Sequence, residues 1–117
     1  MANSWPTELR LDKDRRLLTV SFDDGKSFAL PAELLRVLSP SAEVQGHSEA
    51  QRVTVAGKKN VAVTRIEPVG NYAVRIVFDD GHDTGLFVWD YLRELGETRE
   101  TRWQGYLDDL AAKRLSR

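Results

Sequence analysis

Alternation of apolar and polar residues predicts β-strands in two separate parts of the chain. The segment 17–22 places Leu18, Val20 and Phe22 on one face of a pleated strand, and the segment 74–78 repeats the pattern. An Asp-Asp-Gly run follows each segment, and its glycine supplies the positive φ angle that a tight turn needs. The pattern therefore predicts two β-hairpins, the second with a two-residue turn at Asp80-Gly81.

Short helices are predicted after both hairpins. Pro31 suits the first turn of a helix over 32–38, because a missing amide donor costs nothing there. Asp90 is the expected N-cap of a second helix, and Gly96 is expected to end it. A third, amphipathic helix is predicted over 98–117, with its apolar stripe covering one end of the sheet. The stripe contains Trp103, Tyr106, Leu107, Leu110 and Leu115.

Weaker strand signals complete the predicted fold. Residues 8–11 alternate like an edge strand. The β-branched runs at 53–56 and 61–66 predict a further hairpin, or a strand with a bulge, around the polar residues between them. Residues 67–71 are expected to turn the chain into a strand that begins at Tyr72. Since strands dominate the first two thirds of the chain, the predicted class is α+β with a mainly antiparallel sheet.

The sequence contains two copies of one hairpin-helix unit. Phe-Asp-Asp-Gly at 22–25 recurs at 78–81, and the pair Leu35-Arg36 recurs as Leu92-Arg93 with one residue of extra spacing. Two copies are too few for a solenoid, so we interpret them as units of a single domain over residues 1–117. Arg36 and Arg93 thus take equivalent positions, where each is expected to contact a carboxylate or a partner, or to be solvated.

Composition excludes several classes of function. The chain has 17 basic and 18 acidic residues, so no global field attracts nucleic acid or an anionic membrane. It has no cysteine, which rules out disulfides, a thiol nucleophile and cysteine-ligated zinc or iron–sulfur clusters. No apolar run approaches the roughly 20 residues that span a bilayer, and residues 1–6 do not resemble a secretory signal. We therefore expect a cytoplasmic protein.

His82-Asp83, close to Asp79 and Asp80, is the only cluster with metal-ligand or acid–base character. The imidazole titrates near neutral pH, so the pair could bind a metal or act as part of a base, or it could be bonded locally within the turn. Adjacent strand residues point to opposite faces, and a catalytic metal normally has three protein ligands. A metal site would therefore have to recruit His47.

Other candidate chemistry is weaker. Trp5, Trp89 and Trp103 could stack on bases, but the interleaved arginines of an RNA-binding motif are missing, so we expect them to pack in the core or at its rim. We assign Trp89, Arg36 and Arg93 to a candidate interaction surface. Neither Gly-x-Ser-x-Gly nor a phosphate-binding glycine loop is present, so serine hydrolysis and nucleotide binding have no support.

Four motifs occur in the order Trp5–Leu11, Val20–Gly25, Leu30–Val44 and Gly81–Leu92. Together they resemble the small bacterial proteins of the domain of unknown function 971, which look like the amino-terminal domain of gamma-butyrobetaine hydroxylase. The similarity covers about residues 5–96 and leaves 98–117 as a helical extension.

The resemblance implies a site near His82. In the hydroxylases this domain holds a structural zinc through three cysteines and one histidine. The cysteine positions fall on Ser39, Ser41 and Val44, and the histidine position falls on His82. The resemblance therefore places the loop 39–44 near His82, while structural zinc is not expected. The iron and 2-oxoglutarate chemistry belongs to a catalytic domain for which this chain has no room.

Three functions remain open. The first is a non-catalytic accessory or protein-interaction module whose exposed surface contains His82, Asp83 and the loop 39–44. Its partner would be an iron enzyme or an iron–sulfur carrier, because the resemblance includes domains fused to carrier ATPases. The second is a protein that binds iron or another divalent metal through His82, nearby carboxylates and His47. The third is a small enzyme that uses His82-Asp83 as a base. The sequence leaves the oligomeric state open.

Overall fold

Two three-stranded antiparallel sheets form the framework of the computed structural model, which describes residues 5–40 and 54–117. The first contains β1 (Pro6–Leu11), β2 (Leu17–Phe22) and β3 (Ser27–Pro31), and leads into α1 (Ala32–Val37). The second contains β4 (Val63–Val69), β5 (Ala73–Phe78) and β6 (Leu86–Val88), and leads into α2 (Trp89–Glu97) and α3 (Arg99–Ala112). The α+β class and the antiparallel pairing are confirmed, with the described strands divided between two sheets.

One apolar cluster joins the two units. The middle strands β2 and β5 bury alternate residues, and Leu18 and Ile76 are fully enclosed. Leu35 of α1, Phe87 of β6 and Leu92 of α2 belong to the same cluster. Burying such a side chain contributes about 1.5–3 kcal/mol relative to leaving it exposed. The alternation that predicts the strands therefore also explains how the units pack together.

The turn between β1 and β2 provides a polar link between the units. Arg15 adopts a left-handed conformation with φ 59°. Its carbonyl accepts a hydrogen bond of 2.8 Å from the Val63 amide, and its guanidinium donates one of 2.6 Å to the Thr64 carbonyl. The first unit is thus bonded to the start of the second unit's sheet.

Both Asp-Asp-Gly runs form turns with three loop residues. The amides of Gly25 and Gly81 donate to the carbonyls of Phe22 and Phe78 at 3.1 and 3.0 Å. The two glycines have φ angles of +87° and +90°, whereas Asp80 does not have a positive φ. This is a type I turn followed by a glycine bulge. The predicted two-residue turn at Asp80-Gly81 is therefore wrong.

The ends of α2 differ from the prediction. Val88 is the N-cap, and Asp90 lies within the first turn. The negative charge of Asp90 interacts favourably with the helix dipole there, but its side chain does not cap the helix. Gly96 lies inside the helix, which ends at Glu97. A Cβ at Gly96 would lie 2.4 Å from Cγ of Phe28, so this glycine allows α2 to approach β3 closely.

The hairpin predicted around residues 57–60 is not formed. Residues 54–56 are not a strand, and Val53 lies outside the described residues. The carbonyl of Val55 accepts a hydrogen bond from the Tyr106 hydroxyl, and Thr54 accepts one from Lys113. This β-branched segment therefore contacts α3 instead of pairing with β4. Pro68 lies within β4, so the next turn comes later than predicted.

The carboxyl-terminal helix is shorter than predicted. It ends at Ala112, and Thr98 separates it from α2. Tyr106 and Leu110 are buried, and Trp103 and Leu107 pack against the core, but Leu115 is beyond the helix and exposed. Among the described residues, none of the helices has the length and apolar character needed to cross a bilayer.

Candidate functional site

The candidate site is centred on His82 and Ser39, whose side chains contact each other. His82 directly follows the second turn and is 7% exposed, while Ser39 comes two residues after α1 and is fully buried. The Nε2 atom of His82 and the Oγ atom of Ser39 are 3.0 Å apart, which is a hydrogen-bond distance. Contact between these residues is the juxtaposition that the family resemblance implies.

Local structure fixes the position of His82. Its amide donates a 3.0 Å hydrogen bond to Oδ1 of Asp80, and its carbonyl accepts one from the Phe78 amide. The segment then passes over Ser39 at Gly85, where an added Cβ would lie 2.3 Å from the Ser39 Oγ atom. Gly85 therefore permits the close approach that holds the serine beside the imidazole.

The neighbouring carboxylates do not converge on His82. Asp83 is exposed, whereas His82 is buried, so the two adjacent residues diverge. Oδ1 of Asp79 accepts a hydrogen bond from the Ala62 amide. Within residues 5–40 and 54–117, no three His, Asp or Glu side chains are grouped so that they could hold a metal ion. Ser41, Val44 and His47 lie outside the described residues.

The donors of the family zinc site do not fit zinc in this chain. Structural zinc sites use four thiolate or imidazole ligands, and this sequence has no cysteine. At the one pair of family positions that the structure describes, a serine hydroxyl makes a hydrogen bond with Nε2 of His82. The pair therefore forms a buried polar contact.

The burial of Ser39 is also inconsistent with the role of a catalytic serine. A nucleophilic serine beside a histidine base would need its Oγ atom open to a substrate. Ser39 has no exposed surface. His82 and Ser39 do not line the groove of about 740 Å³ that lies beside α1 and the junction of α2 and α3. His82 and Ser39 therefore do not contribute to the expected exposed surface, whereas Asp83 is exposed and residues 41–44 lie outside the described residues.

Arg36 and Arg93 each bind the turn of the other unit. The Nε atom of Arg36 is 2.7 Å from Oδ2 of Asp80, and Nη2 of Arg93 is 2.8 Å from Oδ2 of Asp24. Both arginine side chains are 12% exposed. The repeat predicted their equivalence, and of the alternatives left open the structure shows the carboxylate contact. The repeat did not reveal that each arginine binds the turn of the other unit.

The two aspartates are held in their charged form. Burial alone would raise the pKa of Asp80, but hydrogen bonds from Lys58, the His82 amide and Arg36 lower it to about 2. Arg93 and the Lys26 amide donate hydrogen bonds to Asp24 and lower the pKa of that carboxyl to about 2. The contacts between the units therefore remain ionic throughout the neutral range.

Trp89, the third residue assigned to an interaction surface, is half-buried. Its indole nitrogen donates a 2.9 Å hydrogen bond to the carbonyl of Asn71. This contact fastens the start of α2 to the turn between β4 and β5. All three residues of the candidate interaction surface therefore have structural partners within the chain.

Sequence reasoning missed a pair formed by Glu33 and Arg117. Glu33 is buried, and its two carboxylate oxygens accept hydrogen bonds of 2.8 and 3.1 Å from Nη2 and Nε of Arg117. The same guanidinium lies 5.3 Å from the ring centre of Trp103. Hydrogen bonding to Glu33 raises the pKa of Arg117 above its usual value. The only sequence signal was an acidic residue in the first turn of a predicted helix.

The family model of gamma-butyrobetaine hydroxylase-like, N-terminal domains matches residues 9–93. No curated protein matches the chain. Two NMR solution structures are 51% and 46% identical to it, with TM-scores of 0.83 and 0.85. The first alignment covers 97% of this chain and 85% of the other, and the second covers 99% and 91%.

A crystal structure from Acidithiobacillus ferrooxidans ATCC 23270 is also similar. It represents a protein of unknown function in the DUF971 family, with 41% identity and a TM-score of 0.64 over 78% of this chain and 91% of the other. The family match spans both units and includes the contact between Ser39 and His82. The chain belongs to the gamma-butyrobetaine hydroxylase-like N-terminal domain family.

Proposed function

We propose that this protein is a non-catalytic interaction module that serves an iron enzyme or an iron–sulfur carrier. Its kinship with a domain that accompanies a hydroxylase supports an accessory role. The closed contact between Ser39 and His82 supports a role without catalysis or a zinc site, because the buried hydroxyl is not open to substrate.

The observation that carries the proposal is an exposed apolar patch on the second sheet, formed by Leu86 and Val88. These side chains are 41% and 39% exposed. Leu86 and Val88 alternate with the buried Phe87 on β6, so both point to the outer face of the sheet. Exposed apolar groups that cluster in this way are typical of a protein contact.

A charged border surrounds part of the patch. Arg75 lies opposite Leu86 in the register of β5 and β6, and opposite Glu67 in the register of β4 and β5. Glu67 accepts from both Arg65 and Arg75, at 2.5 and 3.1 Å. An apolar centre beside a polar rim is the usual arrangement of a protein interface.

The position of β6 offers a second mode of contact. It is the last strand of its sheet within the described part of the chain, and it is three residues long. A partner segment in extended conformation could add a strand there and place its side chains against Leu86 and Val88. The proposed partner therefore approaches the patch and this strand together.

The test uses one substitution in the patch and one matched control. Leu86→Glu places a charge in the patch, while Leu115→Glu changes a leucine of nearly equal exposure, 42%, beyond α3. Wild type and both variants, each with a tag that does not bind metal, are isolated from the native host after cross-linking. Partners are quantified by mass spectrometry and then tested as purified proteins by calorimetry.

We expect an iron or iron–sulfur protein to be enriched by the wild type and by Leu115→Glu, and to fall at least tenfold with Leu86→Glu. Equal enrichment by Leu86→Glu would contradict the proposed surface. Stoichiometric metal in the isolated protein that disappears in His82→Ala would instead support the alternative, a metal-binding protein centred on His82.

A further inference from the structure

The groove of about 740 Å³ combines the groups that recognise a guanidinium ion. It lies where the start of α1 faces the junction between α2 and α3. A carboxylate, an aromatic ring and a cation meet in its lining, contributed by Glu33, Trp103 and Arg117. This region is separate from the patch on β6 and from the contact between Ser39 and His82.

The buried carboxylate of Glu33 favours a positively charged partner in the groove. Its side chain is 7% exposed, and a buried carboxylate without a counter-ion is costly. Arg117 provides this partner by placing Nη2 2.8 Å from Oε1 and Nε 3.1 Å from Oε2. Two parallel hydrogen bonds of this kind match the planar fork of a guanidinium better than the single point of an ammonium group.

Trp103 supplies the second element of recognition. The guanidinium carbon of Arg117 lies 5.3 Å from the centre of its ring, within the range of a cation–π contact. Trp103 is itself packed against the core, so the ring is held in place when Arg117 moves. A fixed carboxylate and a fixed aromatic face therefore persist as a preformed site.

Arg117 belongs to a segment that is more exposed than the site that it fills. The residues after α3 are exposed, and the Arg117 side chain is 44% exposed against 7% for Glu33. The Gly57 amide donates a 3.0 Å hydrogen bond to the Ser116 carbonyl, which anchors the backbone beside Arg117. The occupant thus arrives as an arginine presented by a peptide backbone.

We propose that this groove is a guanidinium-binding site that Arg117 fills in cis and that an arginine of a partner protein enters when Arg117 leaves. Arg117 then acts as an intramolecular competitor. A short tether presents such a competitor at an effective concentration in the millimolar range. If that effective concentration is about ten times the dissociation constant of the site for a guanidinium group, an external guanidinium compound binds the wild type about tenfold more weakly than a variant without the cis arginine.

The experiment titrates the 117-residue chain with Nα-acetyl-L-arginine amide and follows the Trp103 indole resonance by NMR. The variant Arg117→Ala removes the competitor, and Arg114→Ala serves as a matched control because Arg114 is an exposed arginine of the same segment. We expect about tenfold tighter binding for Arg117→Ala than for the wild type, and no change for Arg114→Ala.

Further variants test the two recognising groups. Glu33→Gln combined with Arg117→Ala is expected to abolish binding. The control is Glu100→Gln, which removes the charge of another carboxylate in the lining of the groove and is expected to leave binding intact. Trp103→Leu in the Arg117→Ala background weakens binding and provides a second test if Glu33→Gln disturbs folding. Nα-acetyl-L-lysine amide is expected to bind at least tenfold more weakly than the arginine compound.

Agmatine carries the guanidinium group without peptide groups and so separates two sources of ligand. Weaker binding of agmatine than of the arginine amide supports an arginine in a protein chain, and equal binding would overturn that choice of partner. The site itself is overturned if Arg117→Ala shows no binding at millimolar ligand, or if binding survives loss of the Glu33 charge. Either failure leaves the test with Leu86→Glu unaffected.

Discussion

Arg36 and Asp80 form a 2.7 Å ion pair between α1 of the first unit and the turn of the second. The same contact recurs with the units exchanged, since Arg93 of α2 binds Asp24 at 2.8 Å. Both aspartates are the second of their Asp-Asp-Gly run, and both arginines follow the repeated leucine. The helix of each unit therefore binds the turn of the other unit, which favours packing of the two copies into one structure.

Loss of the Asp80 carboxylate should destabilise the protein. Asp80→Asn removes the charge partner of Arg36 and of Lys58, whose Nζ atom lies 2.6 Å from Oδ2. Because the Arg36 side chain is mostly buried, the expected loss is on the order of 1–3 kcal/mol in the free energy of unfolding. Urea denaturation measures it.

The matched control for this change is Asp23→Asn, in the exposed first aspartate of the other turn. It is expected to change the free energy of unfolding by less than about 0.5 kcal/mol. Asp24→Asn should fall between the two, since the Asp24 side chain is 44% exposed and that of Asp80 is 19% exposed. Equal stability of Asp80→Asn and Asp23→Asn would show that the pair does not join the units.

The contribution of the two aspartates should depend on pH. Folding lowers the pKa of Asp24 and Asp80 from 3.8 to about 2. The stabilisation is therefore fully present above the unfolded value and is lost as the pH falls through that window. Unfolding measured from pH 6 to pH 2 should show a constant difference between wild type and Asp80→Asn down to about pH 4, and a shrinking one below it. A difference that persists unchanged to pH 2 would rule out this linkage.

Gly85→Ala should displace Ser39 from His82. The new Cβ would lie 2.3 Å from Oγ of Ser39, so the expected loss of stability is roughly 1–3 kcal/mol. Ser39→Ala removes that oxygen and should relieve part of the cost. A double-mutant cycle in urea is expected to show coupling of at least about 0.5 kcal/mol between the two positions. Strictly additive effects would mean that they do not interact.

Gly96→Ala should be more harmful than an ordinary helix substitution. The new Cβ would lie 2.8 Å from Cβ of Phe28 and even closer to its ring atoms. Because the Phe28 Cβ does not move when its side chain rotates, rotation cannot remove the overlap. We expect a loss of roughly 1–3 kcal/mol in thermal or urea unfolding. The control is Gly105→Ala in α3, where the space is open and alanine should stabilise by up to about 1 kcal/mol. Similar stability of the two variants would contradict a packing role for Gly96.

Local patterns predicted the parts of the fold that local physics determines. The buried faces of β2 and β5 follow from strict alternation, and the turns follow from glycine. The predicted hairpin around 57–60 is not formed because Val55 bonds to Tyr106 of α3 and Thr54 to Lys113 just beyond it. These partners are more than 50 residues away in the sequence, so local patterns could not reveal them. The role of Gly96 was missed for the same reason, since its contact with Phe28 spans the two units.

The candidate site was predictable only in part. The resemblance implied that Ser39 lies near His82, and the structure places them 3.0 Å apart. The equivalence of Arg36 and Arg93 was visible in the repeat, but a pattern cannot specify which of two identical turns each arginine binds. Glu33 and Arg117 are 84 residues apart in the sequence, so their contact left no periodic signal.

Metal content tests most directly the central proposal that the buried pair of Ser39 and His82 is a polar contact and not part of a metal site. The chain, purified without a histidine tag from the native host, is analysed by elemental mass spectrometry beside His82→Ala. We predict much less than one zinc or iron ion per chain in both proteins. Close to one ion per wild-type chain, lost in His82→Ala, would contradict it.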